Sequence, residues 1–247
     1  MSSPRQLLVA NLGSVPYAAA LELQRAAARA RLDGVLDQDL LLLLEHPPVV
    51  TTGRSTKAGN LLLDEAALAA RGIALFDVER GGDVTFHGPG QLVGYPIIDL
   101  RRHREDLHWY LRQVEQVLID ALGTFGIPAV RNPGKTGVWT RGRKVASIGV
   151  HARQWVTWHG FALNVTTDLS YFDVMVPCGI PDVVMTSVER ELLEAADGAC
   201  LAPSPSLGDD VRDAVIAAAA TRFGLEPVPV SEAELRAIVA AAAPRVS

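Results

Sequence analysis

Between residues 137 and 165 the chain reads as three strand-like runs in succession, GVWT, KVASIGVHA and WVTWHGFALNV. The first two are joined across Arg141-Gly142-Arg143 alone, a link that fits a β-hairpin and is too short for the crossover helix of a parallel pair. Further apolar runs, DLLLLLEH, PVVTTG, GIALFDVE and QLVGYPIIDL, alternate with helical stretches. Residues 17 to 33 repeat Leu and Ala at helical spacing between Pro16 and Gly34, DEAALAARG is a short helix, and EDLHWYLRQVEQVLIDALGTFG is a long one closed by Gly126. Hairpins with interspersed helices predict an α+β fold with a mixed, mainly antiparallel sheet and flanking helices.

The C-terminal part reads as helices: TSVERELL, DDVRDAVIAAAATRFG and EAELRAIVAAAA, the last opened by a capping box of Ser231 with Glu234. The Pro/Ser-rich APSPSLG is the one linker-like break, so residues 1–204 are expected to form one domain and 205–247 a helical extension packed on it.

Chemistry concentrates in two places. Only three lysines and two cysteines occur, against twenty arginines, and one cysteine, Cys178, sits in the frame MVPCGIPDVVMTS. Pro177 and Pro181 restrict that backbone and Gly179 permits a close approach, so the thiol is held on a shaped loop. Cys200, in DGACLAPSPS, has no such frame and reads as incidental. A cysteine nucleophile needs a nearby cation or base, and an arginine cannot give up its proton, which makes Lys144 the candidate partner. A lone cysteine is also a good small buried hydrophobe, and that plain reading stands beside the catalytic one.

The second place is RGGDVTFHGPGQ, residues 80 to 91, whose glycines suit a loop that wraps a ligand, with Arg80 and His87 as polar handles. Neighbouring patterns are decoys. Gly88, Gly90 and Gly94 miss the dinucleotide fingerprint, and NPGKTG resembles the end of a phosphate loop but has Ala129 where the first glycine belongs. His151 and His159 lack a third ligand of suitable type, so no metal site is expected, and G-x-S-x-G is absent. Trp139, Trp155 and Trp158 are expected in the core or a pocket wall.

A formal charge of −5 argues against general nucleic-acid binding. Two local basic clusters, Arg101/Arg102/Arg104 and Arg141/Arg143/Lys144/Arg153, are either solvated surface or a docking face for an acidic protein. No apolar stretch reaches the length of a membrane span, no export signal is visible, and two cysteines of unlike context fit a reducing compartment, so the expected location is cytoplasmic.

The segments EHPPVVTTGR, RGGDVTFHGPGQLVGYPIIDL, GKTGVWTRGRKVASIGVHARQWVTWHGFALNV and PCGIPDVVMTS, in this order over roughly residues 7 to 195, resemble the bacterial octanoyltransferases of lipoate biosynthesis. Val50 and Thr52 depart from the aromatic and leucine of that pattern. The resemblance implies a catalytic domain related to biotin and lipoate protein ligases, a catalytic Cys178 and Lys144, and no cofactor. It also implies acyl-binding segments at Arg80, Gly81, Gly82, Asp83, Val84, Thr85, Phe86 and His87, at Ser147, Ile148 and Gly149, and at Gly160, Phe161 and Ala162. The implied donor is octanoyl-acyl carrier protein, and the acceptors are lipoyl domains of oxoacid dehydrogenase E2 subunits and the glycine-cleavage H protein. The expected reaction is ping-pong transfer through an acyl-Cys178 thioester. The alternatives are an ATP-dependent lipoate or biotin protein ligase, or a non-catalytic module that binds acyl carriers or lipoyl domains.

Overall fold

A computed structural model describes residues 5–180, 182–195 and 204–241 of the chain, without the side chain of Cys178. Cys200 lies outside the described residues. In chain order the elements are β1 (Gln6–Ser14), α1 (Tyr17–Leu32), β2 (Asp39–Glu45), β3 (Val49–Thr52), α2 (Glu65–Ala69), β4 (Ala74–Asp77), β5 (Thr85–His87), β6 (Gln91–Ile97) and α3 (Leu107–Gly123). They continue with β7 (Ala129–Asn132), β8 (Lys135–Thr140), β9 (Arg143–Arg153), β10 (Val156–Asn164), α4 (Val188–Ala195), α5 (Leu207–Phe223), β11 (Glu226–Pro229) and α6 (Glu232–Ala240).

Eight strands form the main sheet in the order β11-β1-β2-β6-β10-β9-β8-β7. The β11–β1 and β1–β2 pairs are parallel and the other five antiparallel, which makes the sheet mixed and mainly antiparallel. The leucine run of β2 shows why it takes the interior. Leu41 and Leu43 face one apolar layer and Leu40, Leu42 and Leu44 the other, so both faces are buried and no polar alternation is needed. The first layer is covered by α3 and α5, the second by α1 and α6.

Several short strands are absent from the sequence reading. β1, β7 and β11 carry weak patterns and are completed by pairing, and residues 85–87 of the glycine-rich loop form β5. The C-terminal segment is not purely helical, because β11 joins the main sheet as its edge strand beside β1. Strands β4, β3 and β5 form a second sheet of their own. Its β5 backs onto an apolar cluster that includes Phe86, Phe172, Met175 and Met185, and its other face looks across at β9 and β10.

Candidate active site

Between the small sheet and the β9–β10 face of the main sheet lies a cavity of about 250 Å³. Strand alternation decides which residues reach it. On β5, Thr85 and His87 line the cavity, while Phe86 points away and stacks on Tyr171 with ring centroids 4.6 Å apart. Val84 joins the same apolar cluster as Phe86. Arg80, Gly82 and Asp83 line the roof, and Gly81 donates its N–H to the Val150 carbonyl at 2.9 Å, tying roof to floor. The Arg80 guanidinium is anchored by donating to the Thr51 carbonyl at 2.8 Å and its hydroxyl at 2.9 Å. Ser147 pairs with Ala162, and Gly149 with Gly160, across β9 and β10 to form the floor. Ile148 and Phe161 contribute to the lining, yet both belong to the apolar layer under α3 and α5. A methyl on Gly149 would lie 2.8 Å from the Gly81 carbonyl and 3.1 Å from Arg80 Cδ, so the close approach of roof and floor requires glycine.

Lys144 reaches the same side of the sheet through a break in alternation. Val138 pairs with Ala146, but the next residue, Trp139, pairs with Lys144, so Val145 is an extra residue in β9. Such a bulge re-aims the side chains beyond it. Ala146, Ile148 and Val150 face the α3/α5 layer, and unbroken alternation would send Lys144 there too. Instead it lies with Trp139 on the face of Ser147 and Gly149, 1% exposed. Its Nζ is 5.7 Å from the Trp139 ring centroid, and Lys135 Nζ is 5.5 Å from the same ring.

The turn that carries Cys178 is docked on the mouth of the cavity. Pro177–Gly179 form a single 3-10 turn, the Val176 N–H donates to the Asn60 carbonyl at 2.7 Å, and Ile180 lines the cavity. Gly179 has φ +64°, and any side chain there would overlap the Asp83 carboxylate that accepts from Asn60 Nδ2 at 2.6 Å. Beyond the turn the chain returns to Lys144. Lys144 N–H donates to the Val184 carbonyl at 2.8 Å and Thr186 N–H to the Lys144 carbonyl at 2.9 Å. The expected approach of the Cys178 side chain to Lys144 lies outside the described residues.

Two buried histidines, His87 and His159, line the cavity and a third, His46, packs behind His87 with ring centroids 5.7 Å apart, all three held neutral. His46 must donate from Nδ1 to the Val15 carbonyl at 2.6 Å, so its Nε2 accepts from the Tyr95 hydroxyl at 2.7 Å. Burial pushes its pKa down to about 4. His87 donates from Nδ1 to Gln91 Oε1 at 2.9 Å, and burial, helped by neighbouring positive charge, holds it well below the usual imidazole range. Gln91 in turn donates to Asn164, and Asn164 to the Thr186 carbonyl, so the orientation of His87 is linked to the segment that grips Lys144. His159 is also lowered by burial. Tyr17, Tyr95, His159 and residues 134–136 at the start of β8 line the cavity without having been singled out by sequence as substrate contacts. The position of His159 beside Gly160-Phe161-Ala162 was the available signal.

Both basic clusters are largely consumed by ion pairs. Arg101 pairs with Asp99, Arg104 with Asp106, Arg141 with Glu191, and Arg143 with Glu191 and Glu194. Trp139 and Trp158 are buried, but Trp155 is exposed at the β9–β10 turn. Among the described residues no group of His, Cys, Asp and Glu side chains could hold a metal ion, and no helix is long and apolar enough to cross a membrane.

Comparison with known proteins places this architecture. The lipoyl protein ligase A/B catalytic domain family matches residues 16–200. An octanoyltransferase from Solibacter usitatus is 55% identical over 71% of this chain and 80% of its own length. The chain belongs to the octanoyltransferase family. A second octanoyltransferase, from Gloeobacter violaceus, is 46% identical over 88% of this chain and 90% of its own. The fold is that of a bipartite lipoate protein ligase from Thermoplasma acidophilum, with TM-score 0.66 over 96% of this chain and 91% of that one at 18% identity.

Proposed function

We propose that the chain transfers an octanoyl group from acyl carrier protein to a lysine of a lipoyl domain, through a thioester on Cys178. The observation that carries this reading is the convergence on one cavity of the three expected acyl-binding segments, the Cys178 turn at its mouth, and Lys144 brought to the same face by the Val145 bulge. A buried cation beside a thiol favours the thiolate, which is the reactive form. The thiolate attacks the carrier thioester carbonyl, the C–S bond to the carrier breaks, and the carrier leaves as a thiol after taking a proton. The acceptor lysine, as a neutral amine, then attacks the acyl-Cys178 carbonyl. An amide forms, the C–S bond to Cys178 breaks, and the proton lost by the amine returns to the Lys144–Cys178 pair.

The donor is already an activated thioester, so the reaction needs no nucleotide. Arg80, rigidly hydrogen-bonded, and neutral His87, with Nε2 left as its acceptor, bound the space in which the acyl group lies. The test is intact-mass measurement after mixing the protein with octanoyl-acyl carrier protein. A single octanoyl adduct on the wild type, lost in Cys178→Ala, is expected. No adduct, or modification of a lipoyl domain by Cys178→Ser with free octanoate and ATP at the wild-type rate, would favour a ligase and overturn the reading.

A further inference from the structure

Alternation breaks a second time at the opposite end of the cavity. His159 pairs with Val150 and, by parity with Phe161, belongs on the α3/α5 side of β10. Its φ is +56°, a conformation rare for a side chain other than glycine, and the imidazole lines the cavity instead. The N–H turned out of the ladder donates at 2.9 Å to Oε1 of Gln24, a fully buried glutamine on α1. Strain of this kind persists only where the surroundings enforce it, and Gln24 is the group that does so here. Two buried atoms of this pair, His159 Nε2 and Gln24 Nε2, have no hydrogen-bond partner, and the nearest carboxylate oxygen to His159 Nε2, on Glu79, is 3.9 Å away.

The strand register gives the length of the cavity. Its floor starts at Ser147, near the bulge that places Lys144, passes Gly149/Gly160 and ends at the Val150/His159 pair. Those three steps along β9 span about 10 Å at roughly 3.3 Å per residue. An extended eight-carbon acyl chain, seven C–C bonds of about 1.5 Å each in a zigzag, spans about 9 Å.

We propose that His159, held by Gln24, is the end-stop that limits the acyl chain to about eight carbons. This rests on the acyl-transfer reading of the cavity. A longer chain has to drive its methyl end into the imidazole ring, which the Gln24 hydrogen bond and the positive φ hold in place. Each added methylene gains about fourfold in binding. Overpacking against a ring that cannot retreat costs about five- to a hundredfold, so the balance turns against chains that reach it. His159 is thereby a specificity residue and Gln24 a positioning residue.

The test compares six-, eight-, ten- and twelve-carbon acyl-carrier thioesters in single-turnover acylation of the wild type, His159→Gly and Gln24→Leu. Glycine accepts the positive φ, so His159→Gly removes the ring without adding strain. The expected result is a rise of about tenfold or more in the twelve- to eight-carbon ratio for His159→Gly, and a smaller rise for Gln24→Leu. A purely structural role would lower all chain lengths in proportion, and a ratio within about twofold of wild type in both folded variants overturns the proposal. Melting shifts with octanoic and dodecanoic acids read the same cavity without turnover. If the wild type accepts no carrier thioester, the transfer reading fails by itself. If dodecanoic acid stabilises the wild type as much as octanoic acid, the end-stop fails whatever the reaction.

Discussion

Gly137→Ala isolates the packing that holds Lys144. Gly137 lies on β8 with φ +131°, and a methyl built there would sit 2.7 Å from the Ala146 carbonyl oxygen, 2.8 Å from Lys144 Cε and 3.4 Å from Nζ. The carbonyl belongs to the sheet and cannot retreat, so the lysine must move. Positive-φ strain costs about 1–3 kcal/mol and overpacking a similar amount, offset by about 0.4–1 kcal/mol from the stiffer unfolded chain. The net destabilisation is roughly 2–4 kcal/mol, a drop in Tm of about 5–15 °C for a domain of this size. Gly142→Ala, at the hairpin tip with φ +77° and open space around it, carries strain without crowding and should lose no more than about 5 °C. A displacement near 1 Å at a reacting group costs about a hundredfold in rate. Octanoylation of Cys178, followed by intact mass in single turnover well below both melting temperatures, should therefore fall about a hundredfold in Gly137→Ala and less than about threefold in Gly142→Ala. Wild-type melting of Gly137→Ala would refute the packing argument. A lowered Tm with an unchanged acylation rate would refute the role of Lys144.

Gly179→Ala, with φ +64° and the Asp83 carboxylate in the way, should destabilise by about 2–4 kcal/mol and slow acylation beyond the melting effect, measured by calorimetry alongside intact mass. Stability should also fall with acid through the histidines. Each is neutral in the fold and takes a proton near 6.5 when unfolded, so the unfolded state binds more protons as pH drops below that value. His46 alone, lowered to about 4, removes roughly 3 kcal/mol between about pH 6.5 and 4, which urea titrations across this range will register as a falling midpoint. Equal stability at pH 7.5 and pH 5 would contradict the neutral, buried imidazoles.

Much of the scaffold is legible along the chain because its signals are local. The alanine-rich period of α1, the leucine run of β2, the hairpin at Arg141-Gly142-Arg143 and the Ser231/Glu234 capping box all appear as read. β1, β5, β7 and β11 are short or weakly patterned, and partner strands supply what their own residues do not. The basic clusters mislead for a related reason: Arg141 and Arg143 look like a free cationic face until α4 brings Glu191 and Glu194 against them.

The sequence by itself determined the longer helices and strands, the fold class and the glycine-rich segment at residues 80–91, since periodicity and loop composition are properties of contiguous residues, while the segments at 147–149 and 160–162 were marked only by the resemblance to octanoyltransferases. Tertiary structure alone decided where the decisive side chains point. Lys144 and His159 both stand at positions whose parity assigns them to the apolar layer under α3 and α5. An unpaired residue at Val145 turns one, and a positive φ held by a glutamine from α1 turns the other. Each device is stabilised by partners distant in the chain, so the alternation of residues along a strand contains no trace of it.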